Sequence, residues 1–152
     1  MADLQETADR IAIRELLDRY TLGVTRRDWD AVAACFHENA RWHASVGYDF
    51  KTREGVRAGL CEVVESMQFL LQMTHACVID DLTADTAKVQ SVLNEFGKRD
   101  GEAGVFVLGI YYDRVTKVGG RWGFEERDFQ LHYIDAAPPP GTITVDYAKQ
   151  PY

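Results

Sequence analysis

Two side chains in this sequence have the type and setting for chemistry, His75 and Arg127. His75 lies in "MTHACVI", where alternation puts Met73, His75 and Cys77 on one face of a strand and Ala76 and Val78 on the other. Both faces are apolar, so the imidazole is sheltered whichever way it points. A neutral imidazole in a dry pocket is a good proton acceptor near neutral pH, which suits general acid–base work. A lone histidine in an apolar strand is also a common core residue. Arg127 lies in the last strand, "RWGFEERDFQLHYI", with Phe129, Leu131 and Tyr133 on its face and Trp122, Phe124, Glu126, Asp128, Gln130 and His132 on the other. A buried arginine needs a partner or a ligand. Glu95 and Glu125 are the candidate partners; a guanidinium in a dry pocket can instead stabilise developing negative charge. His43, beside Trp42, and His132, on a polar face, are weaker candidates. Tyr20, Tyr48, Tyr111 and Tyr112 offer phenolic hydrogen bonds or simply wall.

The elements that must position these residues follow from periodicity. Ile13, Leu16, Leu17, Tyr20 and Val24 make one apolar stripe and predict a helix over 8–24. Asp28 can cap a short second helix that buries Trp29, Val32, Ala33 and Phe36, and Thr52 a third that buries Val56, Leu60, Val63, Val64 and Met67. "ARWHAS" alternates as a strand between them. Four strands follow, "QMTHACVID", "AKVQSVLNEF", "GVFVLGIYYDRVT" and "RWGFEERDFQLHYI", separated by "TAD", "RDGEAG" and "KVGG". Helices first and antiparallel strands after predict an α+β domain, a cone-shaped α+β barrel in which three helices pack on a curved sheet and enclose a cavity. The domain spans 1–136, and a tail, 137–152, follows "APPPG". Three consecutive prolines stiffen that tail. Its Thr, Val and Tyr content predicts packing on a neighbouring subunit.

Composition narrows the partners. The chain has 152 residues and carries 17 basic and 24 acidic ones, a net charge of −7, which suits neither nucleic acid nor an anionic membrane. No apolar run is long enough to span a bilayer and the start is polar, so a cytoplasmic protein is expected. Cys35, Cys61 and Cys77 are odd in number and widely spaced, as for buried reduced thiols. No glycine-rich phosphate loop, metal-ligand spacing or nucleophile elbow is present, and no cofactor or metal is expected.

"AIRELLDRYTLGVTRRDWDAVAACFHENARW", "REGV", "THACV" and "GGRWGFEERDF" together resemble the SnoaL-like branch of the nuclear transport factor 2-like superfamily, over residues 8–135. Within it the chain is most similar to the subgroup of scytalone dehydratase and hexachlorocyclohexane dehydrochlorinase. The resemblance implies a cofactor-free lyase, isomerase or cyclase, a homo-oligomer with a trimer favoured over a dimer, and a small apolar substrate. It also implies a histidine at His75 acting as base, an arginine at Arg127 near the departing group and a tryptophan at Trp42. Tyr20, Tyr48, Met73, Phe129 and Leu131 would complete the pocket wall. Where those relatives carry an aspartate that orients the histidine, Thr25 stands in "GVTRRDW". A threonine can accept a hydrogen bond from the ring but cannot offset an imidazolium, and loss of such a carboxylate costs about 10⁴-fold in a serine-protease triad. Three readings stay open. His75 works with another carboxylate, Glu95 if its register turns it inward; or the reaction is easier and a threonine-held histidine suffices; or the site is inactive. In the last case the chain is a binding or accessory subunit, like the small subunit of ring-hydroxylating dioxygenases.

Overall fold

The computed structural model describes residues 3–101 and 103–149; the last three residues of the expected tail lie outside the described residues. Helix α1 (Leu4–Arg26) starts earlier than the apolar stripe does, because Asp3 caps an exposed first turn by accepting from the Gln5 N–H. Its buried side is the expected one, Ile13, Leu16, Leu17, Tyr20 and Val24. Helices α2 (Trp29–Ala34) and α3 (Arg53–Glu65) follow their caps: Asp28 accepts from Ala31 N–H at 3.0 Å and Thr52 from Gly55 N–H at 3.2 Å.

Six strands make one sheet: β1 (Phe36–Ala44), β2 (Asp49–Lys51), β3 (Met67–Asp80), β4 (Thr86–Arg99), β5 (Gly104–Val118) and β6 (Arg121–Asp135), in the order β2-β1-β6-β5-β4-β3. All neighbours are antiparallel except β1 and β6. The three-residue β2 is too short to show alternation in sequence. The sheet stays open and does not close into a barrel, with β2 and β3 as free edges. The helices cover one face, and the strand registers fix what that inner face carries. Successive rungs across β4, β5 and β6 are Ala87–Val115–Phe124, Val89–Asp113–Arg127, Ser91–Tyr111–Phe129 and Leu93–Gly109–Leu131.

Two irregularities correct the alternation expected for β6. Arg114 pairs with Glu126 and Val115 with Phe124, so Glu125 is an extra residue. This bulge brings Phe124 onto the same side as Arg127, not the opposite one. A second bulge at His132 turns Tyr133 outward, opposite Leu108, where it is 50% exposed and not interior.

The tail folds back on its own chain. A Cβ on Gly104 would stand 1.9 Å from the Ala137 carbonyl oxygen, so only glycine lets the two segments cross there. Further on, the Tyr147 hydroxyl accepts from Leu70 N–H at 3.3 Å, and the Arg27 guanidinium lies 3.9 Å from the Tyr147 ring centre. Between these anchors Ile143 and Val145 remain exposed. No described helix is long and apolar enough to cross a membrane.

Candidate active site

Arg127 stands at the centre of the inner face and is 1% exposed. Its partner is neither Glu95 nor Glu125 but Asp113, the residue opposite it on β5. Nε donates to Oδ1 at 2.9 Å and Nη2 to Oδ2 at 3.0 Å, a two-pronged fork. The rings of Tyr111, Phe124 and Tyr20 pack on the guanidinium, 3.7, 4.1 and 4.2 Å from its carbon. Burial disfavours the Arg127 cation, but Asp113 and the two phenols hold its pKa above the ordinary value. Burial pushes the Asp113 carboxyl up to about 6 against the pull of Arg127, so at neutral pH the pair is ionised. Nη1 of Arg127 is left with no hydrogen-bond partner among the described residues.

Beside the pair runs a chain of hydroxyls. Trp42 Nε1–H donates to the Tyr111 oxygen at 3.2 Å, and the hydroxyls of Tyr111 and Tyr20 share one hydrogen at 3.3 Å. Burial is the first cause that pushes both phenols up, Tyr20 to about 12, so both keep their protons at physiological pH. Two phenolic hydrogens and one bond between them leave one hydrogen to spare. The Ser91 hydroxyl, on the Tyr111 rung, is buried and also unpartnered.

His75 is not in this interior. Thr74 pairs with Leu93 and Cys77 with Ser91, so His75 and Ala76 together face the single residue Val92 across a bulge. Val92 belongs to the outer face, and His75 is exposed there. The imidazole and the Arg127 guanidinium therefore look to opposite sides of the sheet, which corrects the expectation of a sheltered histidine. Thr25 touches another part of β3: its Oγ1 accepts from the Gln72 N–H at 3.0 Å. Met73, opposite Asn94, is half-buried on the outer side. Tyr48 is exposed at the β1–β2 turn, against the rings of Trp42 and Phe50. Tyr20, Trp42 and Phe129 line the interior, and Leu131 does so at its edge.

Glu95 does turn inward. It pairs with Gln72 on β3 and Val107 on β5, one rung beyond Leu93 and Gly109, and Gln72 Nε2 donates to its Oε1 at 2.5 Å. Side chains fill the space expected to be an open cavity: Tyr20 is 0% and Tyr111 2% exposed. The tip of the Phe129 ring lies over Gly109, where a Cβ would come within 2.4 Å of it. Two clefts open elsewhere. One of about 610 Å³ lies between α1, α2 and the β5–β6 turn, and one of about 660 Å³ borders Lys88, Tyr112, Arg114 and Asp128. Neither reaches Trp42, Tyr20 or Glu95. Among the described residues no three His, Cys, Asp or Glu side chains are grouped to hold a metal.

A family model described as a SnoaL-like domain matches residues 5–128. No curated protein matches the chain in sequence. Among solved structures, LinA superposes with a TM-score of 0.83 at 20% identity, covering 96% of this chain and 99% of that one. A hexachlorocyclohexane dehydrochlorinase of LinA type 3 from Novosphingobium barchaimii gives 0.82 at 20% identity, with 95% and 99% covered. A scytalone dehydratase-like protein from Novosphingobium aromaticivorans gives 0.77 at 20% identity, with 92% and 98% covered. At these identities the likeness establishes a shared fold.

Proposed function

The chain belongs to the SnoaL-like domain family, and on that footing we propose that it is a cofactor-independent lyase or isomerase. It acts by proton transfer on an apolar, ring-containing small molecule taken up against the inner face of the sheet. One observation carries the reading: the helix-covered face buries polar hydrogens beyond those its own bonds use, one phenolic hydrogen of the Tyr20–Tyr111 pair and Arg127 Nη1. A face that only had to pack would hold apolar side chains, since an unsatisfied buried donor costs about 1–3 kcal/mol. Donors kept dry and unpaired suit a substrate on which negative charge develops. The names dehydrochlorinase and dehydratase, borne by structural neighbours, both denote eliminations. Entry of a ring requires Phe129 to turn off Gly109, a local step of the kind that gates many enclosed sites.

The test is turnover of a panel of cyclic ketones, halides and polyketide-like phenols by the full chain, followed by NMR without added metal or cofactor. At least one class should be converted. His75→Ala should keep kcat/KM within about twofold, because the imidazole faces away from the interior. Binding across the panel with no conversion would instead identify a binding or accessory subunit.

The same reading includes a homo-oligomer. The outer face of the sheet carries a row of rings, Phe69, Phe96, Phe106 and Tyr133, in successive contact across β3, β4, β5 and β6 at centroid distances of 5.8, 6.3 and 6.2 Å. Leu71 and Leu108 extend this exposed row. Contiguous apolar surface of this kind is covered in stable soluble proteins, and a second copy of the chain is the proposed cover. The exposed Ile143 and Val145 of the tail are what a neighbour would take from it. Sedimentation should give a closed oligomer, and Phe96→Glu should shift it to monomer.

A further inference from the structure

We propose that Glu95 is the acid–base residue of the interior, removing a proton from a ring carbon beside a carbonyl group. The inference rests on the function proposed above and names its base and its substrate class. Register places Glu95 on the inner face, between Gln72 and Val107, where it is half-buried. Only Oε1 is engaged, by Gln72 Nε2; Oε2 receives no hydrogen bond from any described residue. Gln72 is buried, with its own Oε1 unpartnered, so the carboxylate sits beside an acceptor that no described residue uses.

This small assembly is anchored from behind. The Thr25 hydroxyl holds the Gln72 backbone N–H, and the neighbouring Thr21 and Thr74 hydroxyls meet at 2.6 Å. The end of α1 therefore fixes the strand that carries Gln72, and Gln72 fixes the carboxylate. Burial raises the pKa of Glu95, and the Gln72 amide, which favours the charged form, pulls it partly back. The result is a carboxylate with more proton affinity than one in water, as a general base requires. Tyr111 stands on the same face two rungs away, and the tip of the Phe129 ring lies over Gly109 on the rung between.

The step balances within the site. Glu95 Oε2 takes the proton from the α-carbon. The C–H electron pair becomes a carbon–carbon double bond, and the carbonyl π pair moves to oxygen, where the spare phenolic hydrogen receives it. In a β,γ-unsaturated ring ketone Glu95 then returns the proton to the γ-carbon as the oxygen pair re-forms the carbonyl and the double bonds shift into conjugation, giving an isomer. In a β-hydroxy ketone it gives the proton to the departing β-hydroxyl, giving water and an enone. Either way the carboxylate is regenerated and no other reactant is consumed.

The experiment uses 2-tetralone, an apolar ring ketone, with the full chain in D₂O. Exchange of the α-protons is followed by NMR and binding by tryptophan fluorescence. The wild type should accelerate exchange, with an acid limb in kcat/KM above the ordinary carboxylate range. Glu95→Gln should lose about 10²- to 10⁴-fold in exchange while its Kd stays within about twofold. Gln72→Leu should move the acid limb to higher pH, because it removes a hydrogen bond that favours the charged carboxylate; a merely structural role would not. Unchanged exchange in Glu95→Gln overturns the assignment of the base and leaves the interior enzyme intact. Binding without exchange by the wild type overturns the carbonyl substrate class. Failure of the probe to bind at all overturns the proposal together with the interior site on which it rests.

Discussion

Asp113→Ala is expected to cost about 3–5 kcal/mol of folding stability, the range for removing one member of a buried, hydrogen-bonded ion pair. The Asp113 and Arg127 side chains are 0% and 2% exposed, so water cannot replace the lost carboxylate. Nε and Nη2 would join Nη1 as unpaired donors on a cation already enclosed by three rings. For a chain of this size the loss is about 6–20 °C in Tm. Urea unfolding checks it: the midpoint should fall with the slope unchanged. Asp113→Leu combined with Arg127→Met should recover most of the loss, since an apolar pair of similar volume needs no desolvation. If the double variant were as unstable as the single one, the geometry of the fork itself, and not charge balance, would be what the core requires.

That pair also explains how far the sequence could be read. Alternation alone puts Arg127, Phe129 and Leu131 on one face, and the register agrees. It fails at Phe124, Tyr133 and Cys77 for a single physical reason: each lies next to a bulge, and one extra residue inverts the faces beyond it. His75 keeps the face of Met73 and is exposed because the helices cover the other one. Nothing in a strand's own letters marks such an insertion, because it arises from pairing with the neighbouring strand. Asp113 was within reach. In "GVFVLGIYYDRVT", Val105, Val107, Tyr111, Asp113 and Val115 fall on one side, and a carboxylate in that apolar row had to be buried and so had to be paired. The caps at Asp28 and Thr52 are local hydrogen-bond signals, and the chain starts both helices where they predict. Thr25 shows the limit of reading a position by its relatives. Its hydroxyl holds a backbone N–H on β3 and no imidazole, a role that alternation and resemblance both miss.

Tyr20→Phe and Tyr111→Phe should together lower kcat by about 10²- to 10³-fold, while each alone costs less than about tenfold. The asymmetry follows from counting hydrogens. The two phenols carry two hydrogens and use one between them, so either hydroxyl left alone still has a free hydrogen for substrate oxygen. Removing both leaves none, and losing a dry oxyanion donor costs 10²–10³ in kcat. Tyr111→Phe should be the less stable single variant by about 1–3 kcal/mol, because it strands the buried Trp42 Nε1–H; Tyr20→Phe leaves that bond in place. Activity and stability are therefore expected to rank the variants differently. Activity should separate the double from both singles, whereas stability should separate Tyr20→Phe from the two variants that lack the Tyr111 hydroxyl. Strictly additive losses in kcat would mean that the hydroxyls act on separate substrate atoms and not as one shared donor. A double variant with unchanged kcat would remove the phenols from the chemistry and leave them as packing around Arg127.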